Sequence, residues 1–261
     1  MIHWLLDLPW PLLGFVIVAF CVAAGVVGLS IARGLILPRL GRIGRQNEVT
    51  GAVLHGILII YGLAVALIAI AVWETNAEVA KLVSGEATAI GALYRDATGY
   101  PEPTRTQLHQ GIKAYTEYVI HEAWPLQRRG KIPEGGVDLM NHILDILFEF
   151  NPQTESQKII HAETFRAYNN LLQTRRMRLD AVEVGLPAPM WAIVLIGGLI
   201  TLASVFFFEV ENLRLHKIMV ALLGSLMGLL IFLIAIYDHP FRGAHGVSSA
   251  PYELIHEHMM E

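Results

Sequence analysis

Residues 51–73 read GAVLHGILIIYGLAVALIAIAVW, a run without Asp, Glu, Lys or Arg. At about 1.5 Å per helical residue, such a run can cross a hydrocarbon layer about 30 Å thick. Three further charge-free windows of similar length cover residues 11–32, 187–208 and 218–237. A charged side chain at the centre of a bilayer costs about 2.5–3.5 kcal/mol, so the four windows predict four transmembrane helices.

The rest of the chain has an ordinary soluble composition, because all 19 basic and 23 acidic residues lie outside these windows. Apolar residues at helical spacing continue beyond the second window through Val79, Val83 and Ile90, and the period-two alternation typical of strands is missing from the sequence. We therefore predict an all-α integral membrane protein with a helical extramembrane domain. The predicted organisation is 1–73 (N-terminal tail and transmembrane helices at about 11–32 and 51–73), 74–186 (helical extramembrane domain), 187–237 (transmembrane helices at about 187–208 and 218–237) and 238–261 (C-terminal tail).

Two capping-box patterns predict helix starts within 74–186. Thr104 is followed three residues later by Gln107, and Thr154 by Gln157, the spacing at which both side chains satisfy free backbone N–H groups. A further helix is predicted between these two. Its apolar face would contain Met140, Ile143, Leu147 and Phe148.

Small residues recur inside the predicted spans at spacings that favour close helix packing in lipid. These residues are Gly25, Gly28, Gly62, Ala66, Gly197, Gly198, Gly224 and Gly228.

Several kinds of chemistry lack sequence support. The formal charge of −4 argues against nucleic-acid binding, and the single cysteine excludes a disulfide framework within one chain. His121, His142 and His161 do not have the HExxH spacing of a zinc protease, and we interpret them as surface or interface residues. A nucleophile elbow, a P-loop and a dinucleotide fingerprint are also missing, so we predict no catalysis, no metal and no cofactor. A divalent-cation site in the tail, formed by His239, His245, His256 and His258, remains an alternative.

His55 is the only His, Asp, Glu, Lys or Arg side chain within the four windows. Such groups usually face a bundle interior or a water-filled path. His55, Ile59, Leu63 and Ala66 follow one another at four, four and three residues, on one helix face. Repeated around a symmetry axis, this face would form an apolar throat with an imidazole at one mouth. Because His55 lies only four residues into its window, simple hydration in the headgroup region remains the alternative.

Several short strings are spread along nearly the whole chain: Asn47-Glu48-Val49-Thr50-Gly51, Ala71-Val72-Trp73-Glu74, Leu93-Tyr94-Arg95, Pro101-Glu102-Pro103, Glu122-Ala123-Trp124-Pro125, Asp238-His239-Pro240-Phe241-Arg242-Gly243 and Pro251-Tyr252-Glu253. Taken together, these strings resemble the bacterial bestrophin-like membrane proteins.

The more distant similarity to true bestrophins implies a pentameric anion channel whose second membrane helix lines the pore. It also implies that Asp238, Pro240, Phe241 and Gly243 belong to a Pro-Phe-Gly motif after the fourth span. The sequence departs from that pattern: Arg242 is inserted before the glycine, and residues 244–251 contain no Asp or Glu. A calcium clasp is therefore not expected. Ile59, Leu63 and Ala66 also stand where bestrophins have aromatic neck rings.

The leading hypothesis is an oligomeric, pentameric ion channel that passes small inorganic anions across a lipid bilayer. Two alternatives stay open: a non-conducting membrane-anchored sensor or scaffold, and a membrane enzyme, which has the least support. The resemblance implies a bacterial cytoplasmic membrane with the large domain in the cytoplasm. Counting basic residues near the spans leans weakly toward the opposite orientation.

Overall fold

The structure is a computed structural model in which residues 9–40, 47–208, 210–243 and 246–260 are described. Of the described residues, 84% are helical and none lies in a strand, so the all-α prediction is confirmed. The predicted tail before Pro9 lies outside the described residues. The main helices are α1 (Trp10–Ile31), α2 (Asn47–Ala97), α3 (Thr104–Tyr118), α4 (Gly136–Glu149), α5 (Glu155–Asp180), α6 (Ala188–Phe206), α7 (Leu213–Tyr237) and α8 (Ala250–Ile255).

The chain forms two compact units. The membrane unit consists of Met1–Glu74 and Gly185–Asp238, and the helical unit consists of Thr75–Val184 and His239–Glu261. Four apolar segments, which include α1, α2, α6 and α7, are long enough to cross a membrane, as the sequence predicted. α2 is the longest helix, with 51 residues, and it continues through the boundary after Glu74.

Two helix starts follow local sequence signals. Thr154 and Gln157 form the predicted capping box at the start of α5, each side chain bonding to the other's backbone N–H. The Asn212 side chain accepts hydrogen bonds from the backbone N–H groups of Arg214 and Leu215 at the start of α7. These polar caps fix where the two helices begin.

The capping-box prediction at Thr104 is wrong. The N-cap of α3 is Pro103, so Thr104 is already the first helical residue and its hydroxyl cannot cap the helix. The Glu102 carboxylate takes that role: its Oε2 accepts from the backbone N–H of Thr106 at 3.3 Å and from its hydroxyl at 2.7 Å. A carboxylate is favoured here because the N-terminus of a helix carries partial positive charge.

Two π-helical turns precede prolines within helices. After α1, the turn Ala32–Ile36 ends with the N–H of Leu37 bonded to the carbonyl of Ala32, just before Pro38. After α3, the turn Val119–Ala123 ends in the same way before Pro125. Proline has no N–H and clashes with the carbonyl four residues back, so a wider turn lets the helical path continue.

In the membrane unit, α1 and α7 approach each other through glycines. A Cβ atom at Gly228 would lie 2.7 Å from Cα of Val18, and one at Gly224 would lie 3.0 Å from the carbonyl oxygen of Cys21. These contacts confirm the close packing predicted for this pair. Gly62 makes no such contact within the chain, because no described atom of another segment lies within 4 Å of a Cβ built there, and its close packing stays a prediction.

The helical unit has its own apolar core. Val79, Val83 and Ile90 of α2 are buried in it, which confirms the predicted continuation of the helical pattern beyond the membrane span. The prediction that Phe148 is buried is wrong, since 70% of it is exposed. Phe148 is rotated by about 100° from buried Leu147 on α4, so it points away from the core.

Candidate functional site

One side of α2 is packed within the membrane unit. Val65, Ile68 and Val72 are buried and form a cluster with Val194 of α6. The Tyr61 hydroxyl donates to the carbonyl oxygen of Val194 at 2.9 Å, which anchors α2 to α6. A donor inside a membrane bundle needs such a partner because lipid offers none. This side of α2 is therefore fixed within a single chain.

The opposite side of α2 is uncovered and apolar. It contains all four residues that the sequence singled out, and His55, Ile59, Leu63 and Ala66 are all exposed. Ile59 is 69% exposed and Leu63 is 62% exposed. The other exposed residues between His55 and Glu74 are Gly56, Ile60, Gly62, Leu67, Ile70, Ala71 and Trp73, and each is apolar. We call the exposed residues from Gly56 to Trp73 the apolar face.

His55 lies at the beginning of the apolar face. Its Nδ1 lies 2.8 Å from the carbonyl oxygen of Gly51, one turn earlier in α2. A carbonyl only accepts, so Nδ1 carries the proton in this hydrogen bond. The imidazole is thus held against its own helix, and Nε2 remains available to water, an ion or another chain.

A polar contact that the sequence did not predict joins the end of the first span to the start of α7. Arg33 donates through Nη2 to the carbonyl oxygen of Val210 at 2.6 Å and to Nδ1 of His216 at 3.1 Å. His216 is buried, and its Nε2 donates to the carbonyl oxygen of Val205 at 3.1 Å. The charge-free window begins two residues after His216, so composition gave no reason to place this imidazole in the bundle.

Asp238, the first residue of the family string after the fourth span, connects two segments of the membrane unit through hydrogen bonds. Its Oδ1 accepts from the backbone N–H of Leu186 at 2.5 Å, and its Oδ2 accepts from Nε1 of Trp191 at 3.1 Å. Both donors lie at the start of the third span. The carboxylate therefore connects the end of α7 to the beginning of α6.

The other family-string residues of the tail pack in the helical unit. Phe241 is buried with its ring 5.5 Å from that of Trp124, and the Trp124 ring lies 5.7 Å from that of Tyr252. Gly243 has a φ of 78°, a conformation that favours glycine. Its carbonyl oxygen accepts from Arg128 at 3.3 Å. The string that contains Trp124 thus meets the two strings of the tail in one aromatic cluster.

A buried carboxylate of the helical unit accepts four hydrogen bonds from three side chains. Glu86 of α2 accepts from the hydroxyls of Tyr115 at 2.7 Å and Tyr252 at 3.1 Å. Arg178 donates to it through Nε and, at 3.1 Å, through Nη2. Glu86 and Arg178 are 0% and 1% exposed. We call Glu86, Arg178, Tyr115 and Tyr252 the buried polar cluster.

The electrostatics of the buried polar cluster keep the arginine charged and the tyrosines neutral. Burial alone would lower the pKa of Arg178, but the attraction of Glu86 raises it well above the ordinary arginine value. Burial, followed by the nearby charge of Glu86, raises the pKa of Tyr115 and Tyr252 well above that of a free tyrosine. The sequence offered no signal for this pairing, because Glu86 and Arg178 are 92 residues apart.

The histidines that suggested a metal are placed separately. Among the described ranges, no three His, Cys, Asp or Glu side chains lie close enough to hold a metal ion. His256 of the tail lies 3.3 Å from the Glu117 carboxylate of α3, and Nδ1 of His161 lies 2.7 Å from the Tyr100 hydroxyl. His245 lies outside the described residues.

Comparison with known proteins gives a family assignment. The model of the bestrophin-like domain matches residues 19–252, which is most of the chain and contains three of the four apolar segments in full and the larger part of the first. The chain belongs to the bestrophin-like family. A search found no match among curated proteins and none among solved structures. This bestrophin-like protein is thus an all-helical membrane protein, as the resemblance of its short strings implied.

Proposed function

We propose that this bestrophin-like protein is an oligomeric ion channel whose pore is lined by one stripe of α2, formed by His55, Ile59, Leu63 and Ala66, while the rest of the apolar face, Ile60 included, points away from the pore axis. The observation that carries the proposal is the continuity of that face. From Gly56 to Trp73 every exposed residue of α2 is apolar, while the opposite side of the helix is packed in its own chain. A helix with one fixed side and one uncovered side is suited to line a shared axis.

Conduction requires several copies around that axis, because one α2 helix can line only one side of a path. Closed rings are the usual form of such assemblies, and the similarity to bestrophins suggests five subunits. His55 and Glu74 delimit a segment about 28 Å long at the usual helical rise. That length is close to the thickness of the hydrocarbon layer.

Small inorganic anions are the proposed cargo. A narrow apolar throat raises the free energy of an ion that has lost part of its hydration shell, and it can gate by dewetting. His55 lies at one mouth of this throat, and its imidazole is the polar side chain that an ion meets there before the apolar segment. We expect His55→Ala to change anion flux, and halide flux into proteoliposomes measures that change.

A non-conducting sensor or scaffold is the second candidate, and the length of α2 favours it. One unbroken helix of 51 residues belongs to both units, so it could transmit a movement without conducting. We propose no enzymatic role, since the apolar face carries no nucleophile or acid–base pair. We further propose a bacterial cytoplasmic membrane with the helical unit in the cytoplasm. A C-terminal reporter that fluoresces only in the cytoplasm would test that orientation.

The test is halide flux into proteoliposomes that contain purified protein. Ile59→Ala and Leu63→Ala widen the throat and should increase flux relative to the unaltered protein. Ile60→Ala is the matched control, because Ile60 is also an exposed isoleucine, at 73%, but is rotated by about 100° around the helix. Its flux should stay unchanged.

A melting temperature measured on each variant separates conduction from packing. Lower thermal stability with unchanged flux in Ile59→Ala and Leu63→Ala would mean that this face packs against another helix. That result, or a monomeric mass in mild detergent with helix content preserved, would remove the channel proposal and leave the scaffold.

A further inference from the structure

Glu74 is the first charged residue after the apolar face. It follows Trp73 directly and lies 19 residues after His55 in the same helix. Its side chain is exposed, and it makes no ion pair with any described residue. The two ends of the apolar face therefore differ: an imidazole lies at one end and a free carboxylate at the other.

We propose that Glu74 is a charge-selecting residue of the pore, and that its carboxylate slows anion entry at that mouth. The inference rests on the proposed function, because a ring of subunits is needed to bring several copies of Glu74 around one axis. Each subunit contributes one negative charge to the rim. Charges of one sign next to a low-dielectric wall change the local concentration of ions and their rate of entry.

The position of Glu74 makes its charge effective. No described residue forms an ion pair with it, and it lies next to the apolar segment that an ion must cross without its full hydration shell. Rings of acidic side chains favour cations in other channels. In an anion pathway, the same ring lowers the local anion concentration at this mouth and limits the selectivity for anions.

The experiment measures anion flux and the anion-to-cation permeability ratio in planar bilayers for three proteins. Flux of chloride should increase in the order unaltered protein, Glu74→Gln, Glu74→Lys, by up to about tenfold at low ionic strength. The difference should shrink in 1 M salt, where the Debye length falls to about 3 Å. Current through single channels should also become less asymmetric with voltage when the charge at this end is removed.

Glu183 supplies the matched control. It is an exposed glutamate just before the third span, at the same end of the spans in chain order, but it does not lie on α2. Glu183→Gln should leave both flux and permeability ratio unchanged, and the melting temperatures of the variants confirm that all of them fold.

The outcomes separate this inference from the proposed function. Flux that responds to Ile59→Ala but not to either Glu74 substitution keeps the pore and overturns the role of Glu74. An equal response to Glu183→Gln also overturns it, since the effect would then come from general surface charge. No conduction by the unaltered protein overturns both proposals.

Discussion

Helix α2 has two regions: one buries a charged side chain, and the other leaves apolar side chains exposed. In the helical unit it carries Glu86, a charged residue that is fully buried and surrounded by donors from three other segments of the chain. In the membrane unit it leaves apolar side chains such as Ile59 and Leu63 uncovered. A single chain supplies charged and hydrogen-bonding partners for Glu86 in the first region, whereas no described residue covers Ile59 and Leu63 in the second.

The difference indicates which region needs an environment beyond the chain. A buried charge is tolerated only when its own fold supplies opposite charge and hydrogen bonds, so the buried polar cluster must form within the chain. Apolar side chains at membrane depth can contact lipid, another subunit or a narrow pore. The apolar face is therefore the part of the structure whose role depends on assembly.

The largest effect is expected for the buried polar cluster. Arg178→Gln leaves Glu86 buried without its charged partner and should lower the stability of the protein by about 3–5 kcal/mol. Thermal unfolding in detergent measures this loss. The matched control is Arg105→Gln, because Arg105 pairs with Glu102 at 2.7 Å but both side chains are exposed, at 42% and 51%. That pair should contribute about 0–1 kcal/mol. Similar losses in the two variants would contradict the distinction between the buried and the exposed pair.

A smaller effect should distinguish the packed and open sides of the membrane unit. Gly228→Ala places a methyl group 2.7 Å from Cα of Val18 and should destabilise the protein by about 1–3 kcal/mol. The methyl group that Gly62→Ala adds contacts no other described segment of the chain, so the higher helix propensity of alanine should raise the stability of the protein by up to about 1 kcal/mol. Melting temperatures should thus move in opposite directions. A clear loss for Gly62→Ala would show that another helix packs closely on the apolar face.

The smallest effect at neutral pH concerns the tyrosines of the buried polar cluster. The pKa values of Tyr115 and Tyr252 are raised in the folded protein by burial and by Glu86. A raised pKa contributes stability below the ordinary tyrosine value, and this contribution is lost as pH rises above it. Ultraviolet titration should show two tyrosines that ionise only when the protein unfolds. Their ionisation together with the exposed tyrosines, before any loss of helix, would contradict the buried geometry.

Local and compositional signals predicted much of the fold. The four charge-free windows gave the four spans, and the Thr154 capping box gave the start of α5. The Thr104 pattern failed because the start of α3 depends on the carboxylate of Glu102, which a three-residue spacing rule does not consider. Phe148 failed because an apolar residue next to a buried one need not share its helix face.

The candidate site was predictable only in part. Helical spacing placed His55 and Ile59 on one side of α2, and the structure leaves that side exposed. The contacts of Glu86 with Arg178 and of Arg33 with His216 join residues that are far apart in sequence. Such pairs depend on how whole helices pack, and a single sequence contains no local pattern that specifies them.

Access of water to the apolar face tests the central claim most directly. The chain contains one cysteine, Cys21, which is buried, so a cysteine introduced by Ile59→Cys is the reactive thiol of interest. A charged, membrane-impermeant thiol reagent attacks the thiolate, which forms in water and is disfavoured in lipid. We predict that the reagent blocks halide flux through Ile59→Cys and leaves Ile60→Cys unaffected. Unchanged flux in Ile59→Cys, with the thiol unmodified, would contradict a pore lined by α2.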